Sequence, residues 1–350
     1  MINHILNFSV RQRLLVLLAT LILAGFGWLS LRQIPIDAFP DVTNVQVQVL
    51  ATAGGMSPPD MEKLVARPVE IELAGLPKLT EVRSVSKIGL SLITVVFEDG
   101  VNDYFARQLV FERLQAARDK LPAGVEVQLG PISTGLGEIY QYSLVSKDKK
   151  YDATELRTIQ QYIVRPILRT VPGVTDVNSF GGLVKQYQVL IKPDRLTSYG
   201  ITLQQVFEAL EKNNANACGN FIEHGSEQYV VRGLGLVKDT KDIENIIVVT
   251  HEHAPVYVRD VADVVIGAEL RQGALTVNGE GEAVAGIVLM LKGASGRDVV
   301  NGVKEKMPAI QKALPKGVEL VPYYDRTDLV KVTVHRVDRI FREELPFVTE

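Results

Sequence analysis

The chain is poor in the side chains that build disulfide frameworks and soft-metal sites. Its one cysteine, Cys218, excludes an internal disulfide, and we interpret it as a small turn or core residue rather than a reactive thiol. The sequence has five methionines. Four of them, Met56, Met61, Met290 and Met307, fall in different predicted elements, which argues against a cluster of thioethers that would select monovalent copper.

Motifs for catalysis and for nucleotide binding are also missing. The glycine pairs Gly54-Gly55 and Gly181-Gly182 do not form a G-x-x-x-x-G-K-S or G-x-G-x-x-G pattern before a helix. Neither a serine nucleophile elbow nor an H-E-x-x-H segment occurs. The net charge is −3, from 38 basic and 41 acidic residues, so there is no basic excess for nucleic acid. We therefore expect neither an enzyme nor a nucleic-acid-binding protein.

Charge is absent from residues 14–31, which read LLVLLATLILAGFGWLSL. At 1.5 Å per residue, a helix of this length spans about 27 Å, close to the hydrocarbon thickness of a bilayer. No second run of this kind follows. Arg11 and Arg13 precede the run, so the positive-inside bias places the short N-terminal tail in the cytoplasm and the rest of the chain outside. A cleaved signal is the alternative, but the following RQIPIDAFPD offers no small-x-small cleavage site.

The remaining sequence alternates between strand and helix periodicity. It predicts a β-α-β-β-α-β unit from about residue 44 to 129, with Asn102 capping the second helix. A second copy follows, because Arg67-Pro68 is echoed by Arg165-Pro166, and Leu121–Glu126 by Leu314–Glu319. The first half of this copy is predicted to include two strands that end near Lys192, and its second half resumes near Leu275. The segment between the halves has its own predicted helix and strands, and is interpreted as an inserted lobe.

Several long segments carry a resemblance to a known family. They are IPIDAFPDV, ATAGGMSPPDMEKLVARPVE, TGLGEIYQY, VPGVTDVNSFGG, KQYQVLIKPDRLTSYGIT and VYVRDVADV. Over residues 1 to about 330 the chain resembles the N-terminal third of a resistance-nodulation-division exporter of the heavy-metal efflux branch. The fold class this implies is α+β: one transmembrane helix, then two ferredoxin-like βαββαβ pore subdomains, the second interrupted by an α+β docking lobe.

The resemblance also sets the predicted domain boundaries. Residues 1–36 are the cytoplasmic tail and transmembrane helix, 37–133 the first pore subdomain, 134–194 with 268–326 the second, 195–267 the docking insert, and 327–350 the start of a second membrane segment. It implies a proton-driven homotrimer in the bacterial inner membrane, largely periplasmic, that works with an adaptor protein and an outer-membrane channel. No cofactor is implied, and the metal ion is the substrate.

The family's proton-relay acids lie in a later membrane helix that has no counterpart in these 350 residues. The chain is therefore interpreted as an N-terminal portion that cannot pump alone. Two alternatives stay open at this point. One is an exporter of organic compounds, although a single tryptophan, inside the apolar run, and 7% aromatic residues disfavour an aromatic pocket. The other is a membrane-tethered scaffold or binding module without transport.

Two acids are the leading candidates for contact with a transported ion. Glu138 follows Gly135-Leu136-Gly137, where the chain passes between the two pore subdomains. In the family, exporters of monovalent copper and silver tend to have tryptophan here, whereas exporters of zinc, cobalt, nickel or cadmium tend to have this glutamate. Asp176, in PGVTDVNSFGG, is the second candidate, although Glu81 holds the equivalent place in the first repeat and suggests a shared structural acid. A carboxylate suits divalent ions better than monovalent copper.

A weaker candidate is the His251-Glu252-His253 segment. On a strand, residues two apart face the same way, so His251 and His253 can in principle hold one ion. A hairpin tip is the more ordinary interpretation, because the segment lies between two strand-like runs and two ligands alone bind loosely.

Overall fold

The computed structural model describes residues 11–33, 43–225, 227–251, 254–271, 273–279 and 281–343. Its backbone contacts separate two units. The first comprises Met1–Leu144, Gln161–Ser179 and Ala285–Glu350, and the second comprises Val145–Gln160 and Phe180–Val284.

The apolar run forms a helix, α1, over Arg13–Gln33. Its large side chains are exposed, among them Leu14, Leu23 and Phe26 at 84%, 76% and 72%. Within the described residues it is the one helix long and apolar enough to cross a membrane by length and composition. Burying such a surface in hydrocarbon rather than water is favourable, which agrees with the sequence prediction of an apolar N-terminal helix.

The first repeat forms a four-stranded sheet. Its strands are β1 (Gln46–Thr52), β2 (Leu79–Lys87), β3 (Leu90–Phe97) and β4 (Glu126–Leu129). Their order is β2-β3-β1-β4, and each neighbouring pair is antiparallel. The helices are α2 (Pro58–Met61), α3 (Arg67–Leu73) and α4 (Asp103–Arg118).

Alternation in the sequence places the core of this repeat. In β1, Val47, Val49 and Ala51 are buried while their neighbours are not. They share one apolar cluster with Val69 and Leu73 of α3. Each fully buried valine or leucine stabilises the fold by about 1.5–3 kcal/mol relative to leaving it in water, so this cluster fixes the helices on one face of the sheet.

The predicted helix cap at Asn102 is confirmed. Its side-chain oxygen accepts hydrogen bonds from the backbone N–H groups of Tyr104 and Phe105, at 2.9 and 3.2 Å. These N–H groups have no partner within the helix itself, so the cap fixes where α4 begins.

The second repeat builds a second four-stranded sheet from β5 (Glu138–Ser146), β6 (Val174–Phe180), β13 (Val284–Met290) and β14 (Val318–Asp325). The order is β14-β5-β13-β6. When the four strands of each repeat are numbered 1 to 4 along the chain, both sheets have the strand order 2-3-1-4. In chain order its helices are α5 (Ala153–Ile159), α6 (Arg165–Leu168) and α11 (Gly296–Ala313), and α12 (Arg326–Glu343) follows β14.

A π-helical turn precedes each Arg-Pro pair. The turns cover Glu62–Ala66 and Gln160–Val164. In the first, the backbone N–H of Arg67 donates to the carbonyl of Glu62, five residues back. Proline lacks an N–H and crowds the preceding turn, so the helix widens there. The Arg-Pro echo in the sequence thus marks a repeated structural feature.

The second unit contains three two-stranded sheets. Their strands are β7 (Lys185–Ile191), β8 (Ala217–His224), β9 (Glu227–Gly233), β10 (Ile247–His251), β11 (Ala254–Tyr257) and β12 (Ala262–Ala268). Its other helices are α7 (Pro193–Tyr199), α8 (Leu203–Lys212), α9 (Thr240–Glu244) and α10 (Val258–Val261). The pairs are β7–β12, β8–β9 and β10–β11.

One strand lies in a different sheet from the one the sequence suggests. The sequence pattern places the strand ending near Lys192 in the second repeat. In the structure, however, β7 pairs with β12 along its full length, from Lys185 opposite Ala268 to Ile191 opposite Ala262. The sheet of the second repeat is complete without it. Strand periodicity reports that a strand exists, whereas its partner is set by contacts distant in sequence, so the sequence pattern could not make this assignment.

Candidate functional site

The connection between the two repeats is held in place by specific contacts. Gly135–Gly137 forms one 3₁₀ turn, and the N–H of Gly137 donates to the carbonyl of Thr134 at 2.9 Å. A Cβ on Gly137 would lie 2.3 Å from the Ser133 hydroxyl and 3.2 Å from the Met290 carbonyl, so the close approach favours glycine. The buried Arg326 donates from Nη1 to the carbonyl of Leu136. These contacts therefore fix the place of Glu138 at the start of β5.

Glu138 is exposed at that place. Its Oε2 accepts a hydrogen bond from Gln141 Nε2 at 3.1 Å. In the described part of the chain it forms no ion pair with an arginine or lysine. On the neighbouring strand β14, burial and then the negative charge of Glu138 raise the pKa of Tyr323. Glu138 is thus an accessible carboxylate with a neutral hydrogen-bond partner and a nearby phenol.

Asp176 on β6 has a different environment. Arg165 clamps its carboxylate, with Nη2 2.9 Å from Oδ2 and Nε 3.1 Å from Oδ1. The N–H of Val177 donates to Oδ1 at 2.8 Å, and Arg169 Nε lies 3.6 Å from the same oxygen. Burial by itself raises the pKa of Asp176, but the hydrogen bonds from Arg165 and Val177 outweigh it, so the pKa lies below its ordinary value. Its metal role stays a prediction, and these contacts support the structural interpretation instead.

The two acids do not lie on neighbouring strands. In the second sheet, β13 separates β5 from β6. Strands two apart are about 10 Å apart in a sheet, so Glu138 and Asp176 are not positioned by strand pairing to chelate one ion. Of the histidine candidates, His251 is the last residue of β10, opposite Ala254, and His253 lies outside the described residues. Among the described residues there is no group of three or more His, Cys, Asp or Glu side chains arranged to hold a metal ion.

A cleft between the two repeats, within the first unit, was not predicted. Its volume is about 590 Å³, and its charged lining residues are Arg107, Arg165, Arg169 and Asp176. Arg107 extends from α4 and donates from Nη1 to the carbonyl of Gly130. Burial lowers the pKa of Arg107. The two repeats also meet at an ion pair in which Lys292 Nζ lies 3.2 Å from Asp103 Oδ1. No sequence signal pointed to Arg107, because its importance depends on which part of the second repeat faces α4.

An ion pair and two hydrogen bonds hold Asp325, the last residue of β14, in place. Lys304 and Asp325 form an ion pair, and Asp325 Oδ1 accepts hydrogen bonds from the Thr327 N–H and hydroxyl at 2.9 and 2.5 Å. Burial raises the pKa of Asp325, but the hydrogen bonds from Lys304 and Thr327 outweigh it, and the pKa is lowered. Because Arg326 directly follows Asp325, these contacts also help to hold Arg326 against the Leu136 carbonyl.

Comparison with known proteins gives one consistent group of relatives. The chain is 49% identical over 346 residues to the cobalt-zinc-cadmium resistance protein CzcA of Cupriavidus metallidurans, covering 97% of this chain and 32% of that protein. It is 48% identical over 342 residues to the protein HelA of Legionella pneumophila, covering 96% and 32%. It is 40% identical over 345 residues to the cation efflux system protein CusA of Escherichia coli, covering 98% and 33%.

Solved structures agree with these relatives. A crystal structure of a heavy metal efflux pump superimposes with a TM-score of 0.86 at 37% identity, over 96% of this chain and 34% of that one. The chain thus spans about a third of the length of the relatives it matches. The family model for AcrB, AcrD and AcrF matches residues 5–343. The chain belongs to the AcrB/AcrD/AcrF family.

Proposed function

We propose that this chain supplies the N-terminal pore and docking elements of a proton-driven exporter of divalent heavy-metal cations. The observation that carries the proposal is the similarity to a heavy metal efflux pump over 96% of the chain, at a TM-score of 0.86. Because the chain corresponds to about a third of such a pump, transport is proposed for the longer protein and not for these residues alone. The relatives are efflux proteins, so we assign a transport role rather than catalysis.

Divalent zinc, cobalt, nickel or cadmium is the proposed substrate. The relative CzcA, which is 49% identical to this chain, is named for cobalt, zinc and cadmium. Glu138 presents a carboxylate, which suits borderline divalent ions better than monovalent copper. A single accessible carboxylate with a neutral amide partner binds a cation weakly enough to release it, as a transport path requires. Asp176, His251 and His253 remain weaker candidate ligands.

The proposed placement is a bacterial inner membrane crossed by α1, with the two repeats on the periplasmic side. The arginines before α1 support this orientation. We infer that the repeats are ferredoxin-like pore subdomains, because both sheets have the order 2-3-1-4 that a β-α-β-β-α-β unit produces. The segment between the two halves of the second repeat is the proposed docking lobe.

We also propose a homotrimer that works with a periplasmic adaptor and an outer-membrane channel. The β8–β9 hairpin supports an assembly, because Phe221, Ile222, Tyr229 and Val230 are exposed on it by 49–72%. An isolated two-stranded hairpin is at best marginally stable in water, and an apolar surface of this kind is typical of a protein contact.

Substitution of Glu138 tests the proposed ion path. In a complete pump that carries these 350 residues as its N-terminal part, Glu138→Gln removes the charge but keeps the size of the side chain. We expect a loss of zinc and cobalt resistance, measured as growth of a metal-sensitive host, because an amide attracts a divalent cation far less than a carboxylate does.

The matched control is Glu126→Gln, which changes another exposed glutamate at the first residue of a strand, β4. This variant should retain resistance. If Glu138→Gln is expressed at the level of the parent and confers the same resistance, the assignment of Glu138 is wrong.

A further inference from the structure

The cleft between the two repeats has an excess of positive charge. Arg107, Arg165 and Arg169 line it, and Asp176 is the one acidic side chain among its lining residues in the described structure. All four belong to the first unit. Two positive charges therefore stay unbalanced in this cleft, an environment that repels divalent cations.

The three guanidinium groups are held in different ways. Arg165 makes the bidentate contact with Asp176 and is neutralised by it. Arg169, whose side chain is 55% exposed, approaches Asp176 only to 3.6 Å. Arg107 donates to the Gly130 carbonyl, a neutral acceptor that does not balance its charge. Arg107 and Arg169 thus carry the excess charge.

The shape of the cleft strengthens this charge. A concave site with protein walls concentrates the field of its charges more than a flat surface does. Guanidinium groups prefer planar or tetrahedral oxyanions, which they bind through two parallel N–H bonds, as Arg165 does with Asp176. A volume of about 590 Å³ is large enough for a small polyatomic anion.

We propose that this cleft binds a small oxyanion with two or more negative charges, of the polycarboxylate or phosphate class, through Arg107 and Arg169. Arg165 keeps its contact with Asp176 and is not a ligand of the anion. The bound anion neutralises the excess charge and ties α4 of the first repeat to the α6 end of the second. A cation, by contrast, is repelled from the empty cleft, so the metal path proposed through Glu138 lies outside it.

Isothermal titration calorimetry of the full chain in a neutral detergent tests the proposal. Citrate and inorganic phosphate are titrated separately at a constant ionic strength set with sodium chloride, and the two titrations distinguish a carboxylate ligand from a phosphate. We expect saturable binding of at least one of them. In the Arg107→Gln/Arg169→Gln variant the affinity should fall at least about tenfold, because two charge-assisted contacts are lost.

The matched control is Arg113→Gln, which removes the same charge from the same helix at an exposed position outside the cleft. It should bind like the parent chain. The circular dichroism spectrum of each variant establishes that it is folded, and Arg169→Gln alone serves if the double variant is not. The proposal is overturned if neither anion binds the parent chain, or if the cleft variant and Arg113→Gln bind equally well.

Discussion

Glu138 and Asp176 are both carboxylates on strands of the second sheet, but they have different partners. Glu138 is exposed and has an amide partner, whereas Asp176 is held by a guanidinium and a backbone N–H. The same functional group is therefore available to a ligand in one case and used internally in the other. Residue type alone did not separate them.

The ion pairs of Asp176 and Asp325 predict a pH dependence of stability. The pKa of each carboxyl is lowered in the folded state. The folded state then binds fewer protons than the unfolded state as the pH falls, so the stabilisation present at neutral pH is lost below about pH 4. The Asp176→Asn substitution should lower the free energy of unfolding at pH 7 by about 1–3 kcal/mol, because Arg165 keeps its charge but loses its charged partner.

Urea unfolding of the detergent-solubilised chain at pH 7 and at pH 3.5, followed by circular dichroism, measures both effects. The Asp176→Asn/Asp325→Asn variant should show a smaller difference between the two pH values than the parent chain. Asp148→Asn, at an exposed site with no hydrogen bond or ion pair in the described part of the chain, is the control and should behave like the parent. Equal pH dependence in all three chains would contradict the role given to these pairs.

At the level of the elements, the second sheet depends on a close approach of two strands. Gly286 of β13 faces the fully buried Tyr142 of β5, and a Cβ there would lie 2.2 Å from the ring carbon Cζ and 2.3 Å from the hydroxyl oxygen. The ring has no free space to move into, because it is enclosed in the core. Gly286→Ala should therefore destabilise the chain by about 1–3 kcal/mol.

The control for this prediction is Gly54→Ala. Gly54 has open space around its Cβ position and no positive φ, so its replacement should change stability by less than about 0.5 kcal/mol. The urea midpoints of the two variants measure the difference. If Gly286→Ala unfolds at the same urea concentration as Gly54→Ala, the sheet tolerates the added methyl group and the packing argument fails.

At the scale of the whole molecule, the exposed hairpin β8–β9 predicts assembly. Phe221 and Val230 stand opposite each other on it, at 49% and 72% exposure. In a longer protein that carries these 350 residues, Phe221→Ser/Val230→Ser should shift the proposed trimer towards monomer, because the contact loses apolar area. Size-exclusion chromatography with light scattering measures the mass.

The control is Leu270→Ser, which removes a more exposed apolar side chain, at 88%, from outside the hairpin. It should leave the oligomer unchanged. A trimer that survives the hairpin substitutions, or that dissociates equally with Leu270→Ser, would show that the hairpin is not the assembly contact.

Short stretches of the sequence are enough to predict the local features of this protein and its family. The apolar helix, the Asn102 cap, most strands and the duplication were predictable, because hydrophobic periodicity, capping chemistry and repeated segments are encoded within short stretches of chain. The family could be recognised because several long segments agree at once.

The contacts between distant segments are apparent only in the folded chain. In the fold, β7 pairs with β12 and not with the second repeat, Arg165 contacts Asp176, and Arg107 lies in the cleft beside them. Such contacts depend on the packing of side chains far apart in the chain, and a periodic pattern carries no information about them. For this reason the sequence could not show that Glu138 has an amide partner whereas Asp176 is held by the guanidinium of Arg165.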